Sequence, residues 1–574
     1  MQSRYAALSV AAGLTLALIQ PPMSTAFRTR AESSSFEETS RYDDVRVFLD
    51  RLAAASPLVR LEIFGSSEEG RPLPLVILSR DKASAETARH GTGPVVLIMA
   101  NIHAGEVEGK EAALNLLRRL TVGDLRALTA HLTVLVVPIY NADGNERVSL
   151  DHRTVQNGPV GGVGTRENAK GLDLNRDYIK ADSVETRALL SLVNAWDPAV
   201  VIDLHTTNGS YHGYHLTWAP ALSPNTDVRI TAFTRNDLLP PVERLVADAS
   251  GWRLHRYGNF ASAESIDAES EEATSATTPV WRTFDYRPRF GNNYIGLRNR
   301  IAVLSEAYSY LGFERRIAVT EAFVAALVVE IDRQRETIRQ LITEVDRDTT
   351  RKASDGSLEP FAVSATLASS EPAPVPILVG AVRAEKNPRS GHDMHVMVED
   401  RHDAVAMREL DRFDPARSIA VPSAYIVPAD VLTTPDGKHL LDLLQVHGVA
   451  FSRIDVPESL QVETLTVTEL RRDEPAFQGH HTVHVSVTTR LEHVTVAAGA
   501  VRVATAQPLA RLVTQLLDPE SDDGVVTWNG LDAWLAPGKA VPIYRVVNGS
   551  TKHAADSSLA HGRRLHGHLV SVEE

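Results

Sequence analysis

The sequence predicts an α/β domain, built on a mostly parallel mixed sheet with helices on both faces, followed by a C-terminal α+β domain. First, segments with helical spacing alternate with short apolar runs from residue 40 onwards. Second, runs such as VVLIMA at 95–100 are apolar throughout, which is typical of parallel strands covered on both faces. Third, residues 480–503 alternate polar and apolar side chains and are rich in β-branched ones, which predicts strands of a different kind in the C-terminal part.

The individual elements follow from their periodicity. Helical spacing predicts a helix over 42–56, and Asp43 and Asp44 near its start suit the positive end of the helix dipole. Amphipathic patterns predict two further helices, and a long helix from Glu321 to Asp346 is predicted to close the first domain. The amphipathic helices are 109–121 and 183–197, and the predicted strands are 72–80, 93–101, 131–141, 198–207 and 300–308.

The first 26 residues have the layout of a secretory signal peptide. Arg4 precedes an almost entirely apolar run over 5–19, and small residues stand before position 27. An uncleaved N-terminal anchor is the alternative. We therefore expect a secreted or periplasmic protein whose mature form has no membrane span.

The rest of the chain divides into two predicted domains and a connection. The connection is rich in Ser, Ala, Thr and Pro, a composition typical of linkers. The predicted organisation is a signal peptide at 1–26, a catalytic domain at 40–347, a linker at 348–379 and a C-terminal α+β accessory domain at 380–574.

Composition excludes several classes of function. The 574 residues are 43% hydrophobic and 23% charged, which is an ordinary globular composition. The net charge is −14 and the chain has no dense Lys/Arg run, so nucleic acid and anionic membranes are not expected as main partners. The chain has no Cys, so any metal ion must be held by His and carboxylates.

Polar side chains stand at the ends of several predicted strands. In an open α/β sheet, ligands bind at the carboxyl ends of the strands. Asn141 and Asp143 follow one such strand and are interpreted as turn formers. The remaining residues at these ends are His103, Glu106, His205 and Glu306.

His103, Glu106 and His205 match the composition of a catalytic zinc site, which commonly has two His and one Glu and keeps one position open. The pair His103 and Glu106 fits within one turn, and His205 would complete the set from a neighbouring strand. A lone His-x-x-Glu pair is usually a surface feature, so the combination carries the hypothesis. An H-E-x-x-H motif is absent from the sequence. Glu108 and Glu111 compete with Glu106 but are expected to be solvated at the start of the next helix.

The segment RENAKGLDLNRDY, residues 166–178, carries the most specific pattern. It resembles the R-x-N-x-x-G-x-D-x-N-R signature of the zinc metallocarboxypeptidases, the carboxypeptidase A-like zinc peptidases, in a bacterial branch with a C-terminal extension. The YNADG turn and the strand ending in His205 match the family in order. The resemblance covers 40–345 and implies a carboxypeptidase A-like fold with one Zn²⁺ per chain.

The resemblance also implies roles for single residues. Glu306 would be the general base that takes a proton from the zinc-bound water and passes it to the leaving amine. Arg166 would face the developing oxyanion, and Asp173 would accept the second ring N–H of His103. The other implied roles are zinc binding by His103, Glu106 and His205, and binding of the substrate α-carboxylate by Asn175 and Arg176.

The activity implied is that of a secreted zinc-dependent metallocarboxypeptidase, which hydrolyses C-terminal peptide bonds. The family has a substrate-binding Tyr on a mobile loop, for which Tyr286 and Tyr294 are both candidates. Without that Tyr, the resemblance shifts towards zinc-dependent deacylases of N-acyl amino acids, and an inactive binding protein is a third alternative. The expected partner is a peptide or an N-acyl amino acid, while side-chain preference, oligomeric state and the role of the C-terminal domain stay open.

Overall fold

The computed structural model describes residues 27–81, 83–207, 209–260 and 279–547. The predicted signal peptide lies outside these residues. The strands up to residue 310 are β1 (Val59–Ser66), β2 (Pro72–Leu78), β3 (Val95–Ala100), β4 (Thr133–Val137), β5 (Val200–Thr207), β6 (Leu216–Ala219), β7 (Leu254–Arg256), β8 (Asn259–Phe260), β9 (Val280–Arg282) and β10 (Ile301–Tyr308). The helices up to residue 333 are α1 (Arg30–Ser33), α2 (Tyr42–Ala55), α3 (Ala85–Arg89), α4 (Glu108–Val122), α5 (Ala142–Glu146), α6 (Val184–Trp196), α7 (Val228–Phe233), α8 (Leu239–Ser250), α9 (Gly291–Leu297) and α10 (Phe313–Arg333).

The later part of the chain is richer in strands. Its helices are α11 (Arg335–Asp355), α12 (Pro435–Val446) and α13 (Ala510–Leu517). Its strands are β11 (Phe361–Ala368), β12 (Val375–Lys386), β13 (Asp393–Leu410), β14 (Arg412–Ile419), β15 (Ala424–Val427), β16 (Ser452–Arg453), β17 (Glu458–Arg472), β18 (Val483–Val496), β19 (Val501–Ala504) and β20 (Tyr544–Val546).

The first part is organised around an eight-stranded mixed sheet with the strand order β1-β2-β4-β3-β5-β10-β6-β7. Its four central strands, β4, β3, β5 and β10, run parallel to one another, and antiparallel pairs flank them on both sides. The prediction of a mostly parallel mixed sheet is confirmed. The parallel centre brings the carboxyl ends of β3, β5 and β10 to one edge, where ligands bind in open α/β sheets.

Alternation along β3 explains why its sequence is apolar throughout. Val96 and Ile98 lie in a hydrophobic core with residues of α2, α4 and α10, whereas Leu97 and Met99 lie in a second core with residues of α6 and α9. Side chains of a strand alternate between the two faces of the sheet, so a strand covered on both faces needs apolar residues at every position. The predicted covering of both faces by helices is therefore confirmed.

The long helix predicted from Glu321 to Asp346 is wrong as a single element. The chain forms α10 and α11, which are separated at Gln334. Helix α10 buries residues such as Val328 and Ile331 in the core of the sheet, while α11 buries only a sparse stripe. Because the break contains neither Gly nor Pro, the sequence pattern continues through it without a stop signal.

The segment predicted as a linker, 348–379, consists mostly of regular structure. The segment contains the end of α11, all of β11 and the start of β12, and Phe361 and Val363 are buried. The later part of the chain does not stand apart from the first. Tyr425 and Val427 lie in the same hydrophobic core as Leu97, and β13 pairs with β9.

Within the described residues, no helix combines the length and apolar character needed to cross a membrane.

Candidate metal centre and catalytic site

The edge of the sheet brings His205 and Glu306 side by side. His205 lies on β5 and Glu306 on β10, and the two residues are direct partners in the parallel register. His103 lies on the turn that follows β3, where Asn101 adopts a left-handed backbone with φ +66°. Asn tolerates this conformation better than most residues, so the turn leaves the strand sharply. Three neighbouring strands thus deliver these side chains to one place.

His103, Glu106 and His205 form a buried cluster around the Glu106 carboxylate. His103 Nδ1 lies 3.1 Å from Glu106 Oε1, and His205 Nδ1 lies 3.0 Å from Glu106 Oε2. One ligand atom from each residue lies within 4.8 Å of the other two. The predicted ligands therefore converge, and Nδ1 of both His rings faces the Glu106 carboxylate.

The outer nitrogen of each ring lies beside a carboxylate. Asp173 Oδ1 lies 3.0 Å from His103 Nε2, as the sequence predicts, and Asp203 Oδ2 lies 3.0 Å from His205 Nε2. A carboxylate on the far nitrogen orients a metal-binding His and keeps the near nitrogen free to bind. This donor set, two oriented His and one Glu, fits a catalytic zinc ion. Asp203 has a sequence signal, because it precedes His205 by two residues and so lies on the same face of β5.

The charges in this cluster shift the pKa values strongly. Burial opposes ionisation of Glu106, but His103, Arg153 and His205 outweigh it and hold its pKa well below the usual range. Burial also opposes ionisation of Asp173, and His103 with the neighbouring Arg side chains again outweighs it, so its pKa is lowered. Both carboxylates are thus in the charged form that binds a metal ion or a ring N–H.

Glu306 differs from those two carboxylates. Burial raises its pKa to about 8, and the negative charge of Glu106 adds to that effect, while His205 and Arg153 oppose it. Its Oε2 atom is buried and has no hydrogen-bond partner. A carboxylate with a raised pKa and an open oxygen beside a candidate metal cluster has the properties of a general base.

Arg166 lies between the cluster and the solvent. It donates from Nε to Asp173 Oδ2 at 2.9 Å, and its Nη1 is 3.7 Å from Glu106 Oε1. Its side chain is 37% exposed, so part of it is open to solvent. The structure places Arg166 next to the cluster; its contact with an oxyanion remains a prediction.

Asn175 and Arg176 lie in a short 3₁₀ turn, Leu174–Arg176, that begins at Asp173. Asn175 Oδ1 accepts a hydrogen bond from the backbone N–H of Gly291 at 2.9 Å, which orients its amide. The Arg176 guanidinium lies over the ring of Phe290 at 3.8 Å. Burial lowers the pKa of Arg176 to about 10, and the nearby Arg166 and Arg289 add to this effect.

The sequence pattern did not reveal Arg153, although it contacts the metal cluster. Its Nη1 donates to Glu106 Oε1 at 3.0 Å and its Nη2 donates to the carbonyl of Thr206 at 3.2 Å. Arg153 has a left-handed backbone with φ +47°, a conformation that L residues adopt at a cost. Arg153 lies in a loop outside the recognised sequence patterns, so only the three-dimensional structure shows that it contacts the cluster.

Neither Tyr proposed for substrate binding is available for that role. Tyr294 is fully buried and its Oη lies 2.9 Å from His447 Nδ1. Tyr286 hydrogen-bonds Asp522 and accepts from the backbone N–H of Ala365. Both hydroxyl groups hydrogen-bond residues in the C-terminal part of the chain, and the sequence pattern could not reveal these contacts. Tyr257 lies near the site, since its pKa is raised by burial and by the charge of Glu306.

Glu108 and Glu111 are not solvated, contrary to expectation. Glu111 accepts hydrogen bonds from Thr39 and Ser40 at the start of the described chain, and Glu108 lies 3.3 Å from the buried Arg316. Both side chains are fully buried. The segment 27–41 and helix α10 cover this end of α4. The two carboxylates at the helix start are therefore buried by residues that are distant in the sequence.

Comparison with known proteins finds a family model that matches part of the chain. The family model described as zinc carboxypeptidase matches residues 45–281, which include His103, Glu106, Arg166, Arg176 and His205. The chain contains a zinc carboxypeptidase domain. This domain is that of a zinc metallopeptidase, as predicted, and Glu306 lies beyond the matched residues.

Relatives support this assignment over different lengths. "Carboxypeptidase 2" of Trichophyton tonsurans is 23% identical over 552 residues, which cover 90% of this chain and 88% of the relative. "Carboxypeptidase D" of Mus musculus is 32% identical over 188 residues, which cover 29% of this chain and 13% of the relative. Among solved structures, a metallo-carboxypeptidase from Burkholderia cenocepacia is similar at 19% identity and a TM-score of 0.36, covering 51% of this chain and 69% of that one.

Proposed function

We propose that the protein is a secreted zinc-dependent metallocarboxypeptidase that hydrolyses the C-terminal peptide bond of peptides, with one Zn²⁺ bound per chain by His103, Glu106 and His205. The proposal of secretion rests on the signal-peptide pattern of residues 1–26. The observation that carries the activity is the environment of Arg176. It is a mostly buried cation, with 22% of its side chain exposed, and its nearest carboxylate, that of Asp173, lies 3.9 Å away and also contacts His103.

The electrostatics of Arg176 favour an anionic ligand. Within the described part of the chain, Asp173 is the one carboxylate within 4 Å of its guanidinium, at 3.9 Å, and that carboxylate already serves His103 and Arg166. A cation that is mostly removed from solvent without a closely matched anion is costly. A substrate α-carboxylate would supply the missing charge in the bidentate geometry that guanidinium favours.

The neighbouring residues then account for the chemistry. Bound zinc supplies Lewis-acid polarisation of the scissile carbonyl and of the attacking water. Glu306 accepts a proton from that water through its open Oε2 and returns a proton to the leaving amine. Arg166 stabilises the negative charge that develops on the carbonyl oxygen. Asn175, oriented by Gly291, assists Arg176 in holding the α-carboxylate.

The test uses the purified protein and matched substrates. We expect hydrolysis of N-blocked dipeptides with a free C-terminus, no hydrolysis of the same dipeptides with an amidated C-terminus, and slow or no cleavage of N-acyl amino acids. Chelation followed by dialysis should abolish activity, and one equivalent of zinc should restore it. Activity that survives metal removal, or equal cleavage of the amidated dipeptides, would contradict the proposal. Preferential cleavage of N-acyl amino acids would instead identify a deacylase.

A further inference from the structure

The hairpin formed by β17 and β18 reaches back from the C-terminal part of the chain to the loop that carries Asp173 and Arg176. Its tip is the two-residue turn Gln478–Gly479, closed by backbone hydrogen bonds between Phe477 and His480 in both directions. Both turn residues have positive φ, +52° for Gln478 and +84° for Gly479. This is the geometry of a type I′ turn, whose first position favours Asn, Asp or Gly over Gln.

The side chain of this unusual turn residue has a specific partner. The backbone N–H of Asp173 donates to Gln478 Oε1 at 2.8 Å. The two residues are 305 positions apart, so the contact belongs to the fold and not to local chain geometry. Asp173 is buried and Gln478 is partly buried. An Asp side chain at this turn position would suit the backbone better but would be shorter by one methylene.

Asp173 is the residue on which the loop depends. Its Oδ1 accepts from the backbone N–H of Asn175 and lies beside His103 Nε2, while its Oδ2 accepts from Arg166. With the carboxylate occupied in this way, its backbone N–H points to the other side, towards the hairpin. A carboxylate can orient a His only if its own backbone is fixed.

We propose that Gln478 is a positioning residue for the candidate zinc site: it holds Asp173, and through Asp173 it orients His103 towards the metal ion. The C-terminal part of the chain thereby completes the site instead of only packing against it. This inference rests on the proposed zinc-binding function. The left-handed backbone of Gln478 is consistent with this role, because an unfavourable backbone conformation persists where contacts with the surrounding structure maintain it.

The alternative is that the hairpin only docks against the first part of the chain. Two further contacts at the tip have that character. His480 Nε2 lies 2.7 Å from Asp182 Oδ2, and the ring of Phe477 lies 5.6 Å from the Arg289 guanidinium. If docking alone matters, loss of the His480 contact should have the same effect as loss of the Gln478 contact.

The experiment compares three variants of the full chain. Gln478→Met keeps the length of the side chain and removes the acceptor oxygen. Gln478→Glu keeps an acceptor oxygen, and His480→Gln weakens docking without touching Asp173. The readouts are the rate of zinc transfer to a chromogenic chelator, kcat and KM on an N-blocked dipeptide, and the midpoint of urea unfolding.

We expect Gln478→Met to release zinc roughly tenfold faster and to lower kcat, at the lower end of the effects seen for residues that orient metal ligands. Gln478→Glu and His480→Gln should stay within about twofold of the wild type in zinc release. Equal zinc release in all three variants and the wild type would overturn the inference, and so would an equal increase in all three. Failure of the wild type itself to bind zinc would refute the proposed function instead, so the two failures are distinguishable.

Discussion

Two charge clusters in this protein are built in opposite ways. At the sheet edge, Glu306 keeps an oxygen without a partner and Arg176 lacks a close counter-ion. In the C-terminal part, Asp518 accepts two hydrogen bonds from Arg545, at 2.8 and 2.7 Å, and a third from Tyr425 at 2.8 Å. The pKa of Arg545 is raised, because the charge of Asp518 outweighs the effect of burial.

The difference indicates what each cluster does. Buried charges whose hydrogen bonds are all made stabilise one arrangement of the folded protein, and they do so without any ligand. Unsatisfied groups reduce stability, and they persist where a ligand completes them. The sheet-edge cluster should therefore respond to substitution in activity and ligand binding, and the Asp518 cluster in stability.

The sharpest test of this contrast is Glu306→Gln. The amide cannot accept the proton of the attacking water, so we expect kcat to fall about a thousandfold, within the range for loss of general-base catalysis. The variant should still bind one zinc ion per chain, measured by inductively coupled plasma mass spectrometry. Glu371→Gln, at an exposed position, is the control and should match the wild type in both respects. Normal turnover by Glu306→Gln would remove this residue from the mechanism.

On the other side of the comparison, Asp518→Asn should act on stability. Among the described residues, the change leaves the buried Arg545 guanidinium with the carboxylates of Glu520 and Glu463, at 2.8 and 3.6 Å. We expect the free energy of unfolding in urea to fall by about 3 kcal/mol, with kcat/KM per folded molecule unchanged. Asp414→Asn, which breaks an exposed ion pair with Arg412, should cost less than about 1 kcal/mol. Equal losses in the two variants would contradict the contrast.

Arg176→Ala returns to the sheet edge and should act on substrate binding. Removing the cation leaves the substrate carboxylate without its partner, so KM for a free-acid dipeptide should rise roughly thirtyfold or more. Zinc content should not change, because Arg176 is no part of the metal cluster. A matched substitution, Arg315→Ala, removes an exposed Arg that pairs with Glu399 and should leave KM unaltered. An unchanged KM in Arg176→Ala would favour an endopeptidase or a deacylase.

The sequence predicts the sheet and the convergence of the metal ligands because both follow from local patterns. An apolar strand that ends in His205, and a second that contains Glu306, meet at one edge once the strands are known to be parallel. Partners supplied by distant segments have no such pattern. Gln478 contacts Asp173, which is 305 positions away in the sequence. The hydrogen bonds of Glu111 come from Thr39 and Ser40, which are 72 and 71 positions away.

The choice between Tyr286 and Tyr294 fails for the same reason. Sequence distance from Glu306 makes both suitable, but each side chain is bound by a residue of the C-terminal part, Asp522 or His447. Packing against a second region therefore decides which residues of a familiar pattern remain free for function.

A pH-dependent effect on stability is expected at His447, which joins the two parts of the chain. His447 Nε2 lies 3.0 Å from the carbonyl of Ile179, which can only accept, so Nε2 carries the proton and Nδ1 accepts from Tyr294 Oη. Burial lowers the pKa of His447 to about 3. The unfolded chain, with a His pKa of about 6.5, therefore binds one more proton than the folded protein between those values, and stability falls as the pH is lowered through this window.

His447→Gln keeps a donor and an acceptor but cannot titrate, so between pH 6 and pH 4 its free energy of unfolding should fall less steeply than that of the wild type, by about 1.4 kcal/mol per pH unit. Urea unfolding at pH 7, 6, 5 and 4 measures the slopes, with His90→Gln, at an exposed position, as the control that should keep the wild-type slope. Parallel slopes for wild type and His447→Gln would show that this imidazole takes up its proton in the folded state as readily as in the unfolded chain.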